Sequence, residues 1–191
     1  MVDLPATAAW RHLDARVGFE VLFLRPDADG YHLEGHSTAV EEGEAWGISY
    51  TIKVDTNWTT RSAHVVGRSA SGTRELRLEG DGAGGWRVDG RPEPLVAGCL
   101  DVDLEASAFT NAFPVNRMGL EVGEEAEAPA AYVRALDLRV ERLEQSYVRL
   151  EDDGEHSRYD YAGPRFGYRD VIVYDQFGLV LDYPGIAVRV A

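Results

Sequence analysis

Residues 98–117 read GCLDVDLEASAFTNAFPVNR, and this stretch is the most informative part of the chain. Acidic and apolar residues alternate over residues 101–105, which is typical of a strand with its acids on one face. The aromatic segment that follows predicts a short helix within residues 109–118, with Ser107 as its N-cap and Pro114 starting or interrupting it. The stretch matches no phosphate, metal or nucleophile motif. It therefore indicates a binding fold and not a reaction.

Length and charge bound the class of protein. With 191 residues, 45% of them hydrophobic and 27% charged, the chain is predicted to form one globular domain over residues 1–191. The net charge of −14 argues against a nucleic-acid partner and against adsorption to an anionic membrane, since both require a basic surface. The expected partner is neutral, apolar or cationic. The oligomeric state is left open.

Cysteine content and the N-terminal sequence predict the compartment. Cys99 is the single cysteine, so neither a disulfide framework nor a cysteine-rich zinc site is expected. The first ten residues carry an acid and a proline where a signal peptide needs a basic start and an apolar core. No apolar run is long enough to span a bilayer. We therefore expect a soluble, cytoplasmic protein with no integral membrane association.

A period of two dominates the hydrophobic pattern and predicts a mainly β fold. Strands are expected at residues 19–25, 31–40, 46–55, 58–68, 74–79, 86–88, 171–174, 179–181 and 186–190. Asp89 and Gly90 supply the residues that a tight hairpin turn needs at positive φ. Residues 130–150 fit a helix or strands, and strands are favoured because residues 136, 138 and 140 alternate.

Two carboxylates on one strand raise the question of catalysis. Asp101 and Asp103 would share a face about 6.5–7 Å apart, close to the separation that inverting glycosidases use. A hydrolase acting on a sugar-containing substrate through this pair is therefore one alternative. In the other interpretation Val102 and Leu104 face the core, and the acids face water or pair with arginines.

Other motifs predict neither a metal nor a cofactor. His32 and His36 lie about 13 Å apart on a strand, too far to share a zinc ion. The glycine-rich residues 80–85 lack the lysine and the following helix of a phosphate loop. We expect no cofactor and no metal site.

The aromatic residues are the remaining signal. They could line an apolar cavity in a curved sheet, with a few polar groups to orient a ligand. The candidate ligand-binding residues are Trp46, Tyr50, Trp58, Asp101, Asp103, Phe109, Asn111, Phe113 and Arg117. Alternatively, the aromatic residues fill the core of a structural or interaction protein.

Five segments together resemble one family of bacterial proteins. They are residues 10–14, 55–61, 85–90, 98–117 and 175–185. In this order they resemble the putative glycolipid-binding family, whose most specific segment has the form Gly-Cys-x-Asp-Val-Asp-Leu followed by Ser-x-Phe-Thr-Asn-x-x-Pro-x-x-Arg. The resemblance covers nearly the whole chain.

The resemblance implies a strongly curved antiparallel sheet, a half-barrel wrapped around one short helix. This architecture is similar to the LolA and LolB lipoprotein-localisation factors, which hold acyl chains in an apolar concavity. By the same resemblance the expected function is non-enzymatic binding of a lipid or glycolipid, with no catalytic residues.

Overall fold

The computed structural model describes residues 4–14 and 16–191. Within these ranges the chain forms seventeen strands, one α-helix and three short 3-10 helices. The strands are β1 (Thr7–His12), β2 (Val17–Asp27), β3 (Gly30–Glu41), β4 (Glu44–Asp55), β5 (Thr60–Ser69), β6 (Gly72–Gly80), β7 (Trp86–Val88), β8 (Arg91–Pro92), β9 (Asp101–Leu104), β10 (Glu125–Glu127), β11 (Ala130–Val133), β12 (Val140–Leu143), β13 (Ser146–Asp153), β14 (His156–Gly163), β15 (Tyr168–Tyr174), β16 (Val180–Tyr183) and β17 (Ala187–Arg189). The α-helix is α1 (Ala112–Met118), and the 3-10 helices are Pro94–Val96, Phe109–Asn111 and Pro164–Phe166.

Fourteen of the strands described form one antiparallel sheet. Its order is β10-β13-β14-β15-β16-β17-β1-β2-β3-β4-β5-β6-β7-β8. Strand β1 lies between β17 and β2, so the two ends of the chain meet inside the sheet. Strands β8 and β10 are its free edges, and the sheet is open. The predicted mainly β, antiparallel fold is confirmed.

The period of two in the sequence sets the inner face of this sheet. In β4 the side chains of Trp46, Ile48, Tyr50, Ile52 and Val54 are all buried, and the residues between them are more exposed. Burial of alternate residues is what a strand requires when one face packs on a core. Residues 130–150 also form strands, as favoured, but residues 136 and 138, whose alternation favoured them, lie in the loop between β11 and β12.

A second sheet of three strands, in the order β12-β11-β9, lies against the inner side of the large sheet. Strand β9 is parallel to β11, and all four of its residues are buried. Its acids therefore do not face water, and Asp101 instead pairs with an arginine, Arg117, as the same interpretation allowed. Both faces of β9 are covered because the chain passes through the interior of the fold, where Thr60 accepts a hydrogen bond from the Val102 amide at 3.1 Å.

The helical segment follows β9 directly. The 3-10 helix Phe109–Asn111 continues into α1, and Pro114 lies in the first turn of α1, where its missing N–H leaves few hydrogen bonds unmade. Gly119 ends the helix at φ +56°, in the left-handed conformation. Ser107 is not the N-cap that the sequence predicts, since its hydroxyl donates to Glu20 on β2.

Contacts with this inner segment show how far the large sheet curves. Trp10 on β1 packs on Phe109 with ring centroids 6.1 Å apart. The ring centroid of Trp58, in the turn between β4 and β5, lies 6.4 Å from that of Phe113. Tyr147 on β13 donates a hydrogen bond to Asn111. Because these strands are far apart in the sheet order, the sheet must wrap around the segment as an open half-barrel.

Candidate functional site

A cleft opens between the ends of β14–β16 and the small sheet. Its volume is about 200 Å³. Five aromatic residues contribute to its walls, and polar groups come from β9 and the turn that follows it. The residues that matter for its chemistry are Tyr132, Tyr161, Phe166, Tyr168, Tyr183, Asp103, Glu105, Ser107 and Asn111.

Three tyrosines on neighbouring strands form one wall. The ring centroids of Tyr161 and Tyr168 are 5.9 Å apart, those of Tyr161 and Tyr183 are 5.8 Å apart, and those of Tyr168 and Tyr183 are 5.5 Å apart. Tyr168 pairs with Gly163 across the ladder, which places it diagonally opposite Tyr161. Tyr132 and Phe166, 5.6 Å apart, extend the aromatic wall toward the small sheet.

The phenol groups in this wall stay neutral. Burial raises the pKa of Tyr132, Tyr161, Tyr168 and Tyr183 above the ordinary value. Tyr161 donates a hydrogen bond to the Gln145 side-chain oxygen at 3.0 Å, and Tyr168 donates to the Pro184 carbonyl at 2.7 Å. The wall therefore presents flat rings with fixed, neutral hydrogen-bonding groups.

Asp103 brings a carboxylate into this aromatic surrounding. Its Oδ1 accepts a hydrogen bond from the Thr110 hydroxyl at 2.8 Å. Burial raises the pKa of Asp103 to about 6, and the neighbouring charges of Asp101 and Glu105 act in the same direction, while the Thr110 hydrogen bond opposes the shift. At neutral pH the group is an ionised carboxylate with little solvent around it.

Glu105, two residues further on, is held differently. Its Oε2 accepts a hydrogen bond from the Ala135 amide at 2.7 Å, and its Oε1 lies 3.4 Å from the Arg134 guanidinium. Arg16 donates to the Glu105 backbone carbonyl at 3.0 Å. The charge of Glu105 is therefore compensated within the protein.

Beneath the cleft, Glu20 fixes the turn that carries Ser107. Glu20 is fully buried and accepts hydrogen bonds from the Tyr50 hydroxyl at 2.6 Å, from the Ser107 hydroxyl and from the Ala108 amide at 2.8 Å. Burial raises its pKa, and these hydrogen bonds act against that shift. Glu20 thus takes the capping role at the start of the 3-10 helix from a position 88 residues earlier in the chain.

The structure separates the nine candidate residues predicted from sequence into two groups. Asp103 and Asn111 line the cleft. The remaining seven do not line it: Trp46, Tyr50, Trp58, Phe109 and Phe113 are buried in the core, and Asp101 pairs with Arg117. Phe109 and Phe113 meet edge to face at 5.2 Å, so they fill the interior of the half-barrel.

Asp101 and Asp103 have different partners although they share a strand. Both oxygens of Asp101 accept from the Arg117 guanidinium, at 3.0 and 2.6 Å. Asp101 is 1% exposed and does not reach the cleft. The two carboxylates are therefore not presented together to one ligand.

Sequence reasoning missed the tyrosines of the cleft. Seven of the nine tyrosines lie after residue 130, and Tyr159 and Tyr161 alternate along one strand. This clustering of tyrosines in the C-terminal part of the sequence was the feature that could have indicated the cleft. It gives no partners, because the rings that meet come from different strands.

Two further features concern metals and membranes. Within residues 4–14 and 16–191, no group of three or more His, Cys, Asp or Glu side chains is placed to hold a metal ion. His32 bonds Glu34 and His36 bonds Ser49, both within the sheet. In the part of the chain that the structure describes, no helix is long and apolar enough to cross a membrane.

The fold and the cleft together define an open β half-barrel protein with a small aromatic cleft between its sheet and the segment that the sheet encloses. The chain belongs to the family described as "Putative glycolipid-binding", whose profile matches residues 7–189. The resemblance seen in the sequence is thereby confirmed.

Two solved structures resemble the chain. The crystal structure of a DUF1089 family protein from Pseudomonas aeruginosa is 34% identical, with a TM-score of 0.75 over 90% of this chain and 92% of that one. A β-barrel-like protein of the domain of unknown function DUF1849 from Brucella abortus is 11% identical, with a TM-score of 0.51 over 96% of this chain and 92% of that one, and this likeness concerns the fold alone. Curated protein sequences give no significant match.

Proposed function

We propose that the protein binds a glycolipid without transforming it, and that the sugar headgroup occupies the tyrosine cleft. The observation that carries this proposal is the lining of the cleft, where four tyrosines meet the polar side chains of Asp103, Ser107 and Asn111. Sugars present apolar C–H faces and many hydroxyl groups. Tyrosine rings with polar tips, together with carboxylate and amide groups, match both.

The size of the cleft supports a headgroup and not a whole lipid. Pockets that enclose drug-sized ligands measure about 300–1,000 Å³, and this cleft measures about 200 Å³. The concave side of the sheet, where an acyl chain was expected, contains β9, α1 and their aromatic residues. The lipid chains of the ligand are therefore proposed to stay outside the half-barrel.

A non-enzymatic role is proposed because the catalytic pair suggested by the sequence is not available as a pair. Asp101 is bound through both oxygens to Arg117, which leaves Asp103 without a second carboxylate from that position. Turnover of any member of a panel of nitrophenyl glycosides, lost in Asp103→Asn, would overturn this part of the proposal.

The first experiment is native mass spectrometry of the purified protein, followed by organic extraction and lipid analysis. A stoichiometric bound mass that extracts as a glycolipid supports the proposal. A clean apo mass that stays unshifted after incubation with lipid extracts would instead favour an interaction protein with a filled core.

A pair of variants tests the location of the site. Tyr168→Ala removes a half-buried ring from the cleft, and Tyr31→Ala removes a half-buried ring that packs on Trp58 away from the cleft. Titration with n-octyl β-D-glucoside below its micelle concentration should show about tenfold weaker binding for Tyr168→Ala. Equal affinity of the two variants would place the site elsewhere.

A further inference from the structure

We propose that the sugar bound in the tyrosine cleft carries a protonated amine, which the Asp103 carboxylate receives. This inference rests on the proposed function, because it assumes that the cleft is the ligand site. It adds the chemical class of the headgroup, an amino sugar.

Asp103 is a largely buried carboxylate that has no cationic partner among the described residues. It is 7% exposed and lines the cleft. Its Oδ1 is engaged by Thr110, whereas its Oδ2 accepts no hydrogen bond from any of the described residues. Nor does any arginine, lysine or histidine of residues 4–14 and 16–191 form an ion pair with it. The Oδ2 atom is not among the fully buried atoms that lack a partner, so it is accessible from the cleft, where a donor or cation of a ligand can reach it.

The other buried or half-buried acids of this region are already satisfied. Asp101 is bound by Arg117, Glu105 by Arg134 and the Ala135 amide, and Glu20 by hydroxyl and amide donors. Each of these acids therefore has a structural partner. Asp103 remains as the acid whose partner can come from a ligand.

The rings around Asp103 favour a cation as well. Tyr132, Tyr161 and Tyr183 line the same cleft as the Asp103 carboxylate. Faces of tyrosine rings attract ammonium groups, and aromatic surroundings strengthen the attraction by excluding water. The combination of one carboxylate and several rings is typical of sites for alkylammonium groups.

The remaining charges near the cleft agree with this assignment. Arg16 also lines the cleft, but its guanidinium donates to the Glu105 carbonyl and lies 5.4 Å from the centroid of Trp46. The net charge of −14 attracts cations and repels anions at long range. A cationic headgroup is thus favoured both at a distance and in contact.

The test compares three glycosides that share one tail. They are n-octyl β-D-glucosaminide, its N-acetylated form and n-octyl β-D-glucoside, each titrated by calorimetry at neutral pH below its micelle concentration. A charge-assisted contact predicts about tenfold or more tighter binding of the glucosaminide. Because acetylation removes the charge and keeps the sugar, the N-acetyl form should lose this advantage in the unaltered protein.

Variants then assign the preference to one carboxylate. Asp103→Asn keeps the shape and should reduce the ratio of affinities to about one. Asp153→Asn, an exposed position at the end of β13, changes the net charge equally and should keep the ratio. Retention of the full preference in Asp103→Asn would overturn the inference, as would equally tight binding of glycerophosphoethanolamine, which offers an amine without a sugar.

Failure of the inference can be told from failure of the proposed function. Equal affinity of the unaltered protein for all three glycosides would overturn the amine and leave glycolipid binding in place. If none of the three bound, the cleft would not be a sugar site, and both proposals would be overturned.

Discussion

At the scale of single residues, two buried acids illustrate how position decides role. Glu20 is surrounded by donors from Tyr50, Ser107 and Ala108, so it stabilises the turn beneath the cleft. Asp103 has one donor, Thr110, and an oxygen that no described residue engages. Glu20 therefore has a structural role, whereas Asp103 keeps an oxygen that can accept a hydrogen bond from a ligand.

Replacement of Glu20 by glutamine should destabilise the protein by about 2–3 kcal/mol. One carboxylate oxygen would become an amide nitrogen, which donates hydrogen bonds and accepts none. This N–H group would face a donor that now bonds the carboxylate, so buried groups would be left unpaired. Urea denaturation measures the effect, and Glu75→Gln on the exposed side of β6 serves as the control. Equal midpoints for the two variants would contradict the role of Glu20 as a cap.

Stability should depend on pH through Asp103. Its pKa is about 6 in the folded protein against 3.8 as its ordinary value, so the folded state holds the proton more tightly. This tighter proton binding adds up to about 3 kcal/mol to the free energy of unfolding. The added stability is present in full below about pH 4 and is lost as the pH rises through about 6. Asp103→Asn should lack this decline when unfolding free energies are measured across that range.

The other titratable groups around Asp103 do not account for a difference in pH profile between the unaltered protein and Asp103→Asn. Asp101 and Glu105 flank it on its own segment and are present in both proteins. The phenols around it ionise far above this pH range, and they are Tyr132, Tyr147, Tyr161, Tyr174 and Tyr183. Parallel pH profiles for the two proteins would show that Asp103 has an ordinary pKa.

At the scale of elements, the inner segment is tied together by the ion pair between β9 and α1. The Arg117 guanidinium contacts both oxygens of Asp101, and both side chains are largely buried. Such a pair fixes the orientation of a short helix that could not persist alone at seven residues. It thereby holds Asn111, just before α1, at the cleft.

Arg117→Ala should destabilise the protein by about 3–5 kcal/mol, because it leaves Asp101 charged, buried and unpaired. The double variant Asp101→Asn/Arg117→Ala should be less unstable than the single one, since no uncompensated charge remains. Thermal and urea unfolding compare them. Arg25→Ala breaks an exposed pair with Glu34 and should have a far smaller effect. A double variant as unstable as the single one would contradict the electrostatic explanation.

At the scale of the whole molecule, the cleft adjoins the core and shares Leu104, Tyr161 and Tyr183 with it. The interior is filled by Trp58, Phe109 and Phe113, whereas the cleft is formed by tyrosines of the C-terminal strands. These buried side chains occupy the concave side of the half-barrel, which is why the lipid chains are proposed to stay outside it.

Phe113 is fully buried away from the cleft, whereas Tyr168 is half-buried in its wall, and this difference predicts opposite effects for two aromatic deletions. Phe113→Ala should cost about 3–5 kcal/mol of stability, as core deletions do, and leave the glycoside affinity of the folded protein unchanged. Tyr168→Ala should weaken binding with a smaller loss of stability, because its ring is half buried. Chemical denaturation and calorimetry on both variants test the pattern, and a loss of affinity in Phe113→Ala at full folding would contradict it.

The sequence by itself determined most of the strands, the turn after β7 and the family, although it did not predict β1. A period of two is local, so the inner residues of β4 could be assigned without knowing any partner. Local chemistry also determined the turn at Asp89 and Gly90, both at positive φ, and the helix end at Gly119. These features depend on the conformations that neighbouring residues allow.

Only the tertiary structure decided which acid is paired and which rings meet. Asp101 and Asp103 look equivalent in the sequence, but Arg117 reaches one of them and the tyrosines surround the other. Tyr161 and Tyr183 meet because β14, β15 and β16 lie side by side. Side-chain alternation fixes which face a residue lies on, whereas strand order and register fix its neighbours, and these depend on contacts between distant parts of the chain.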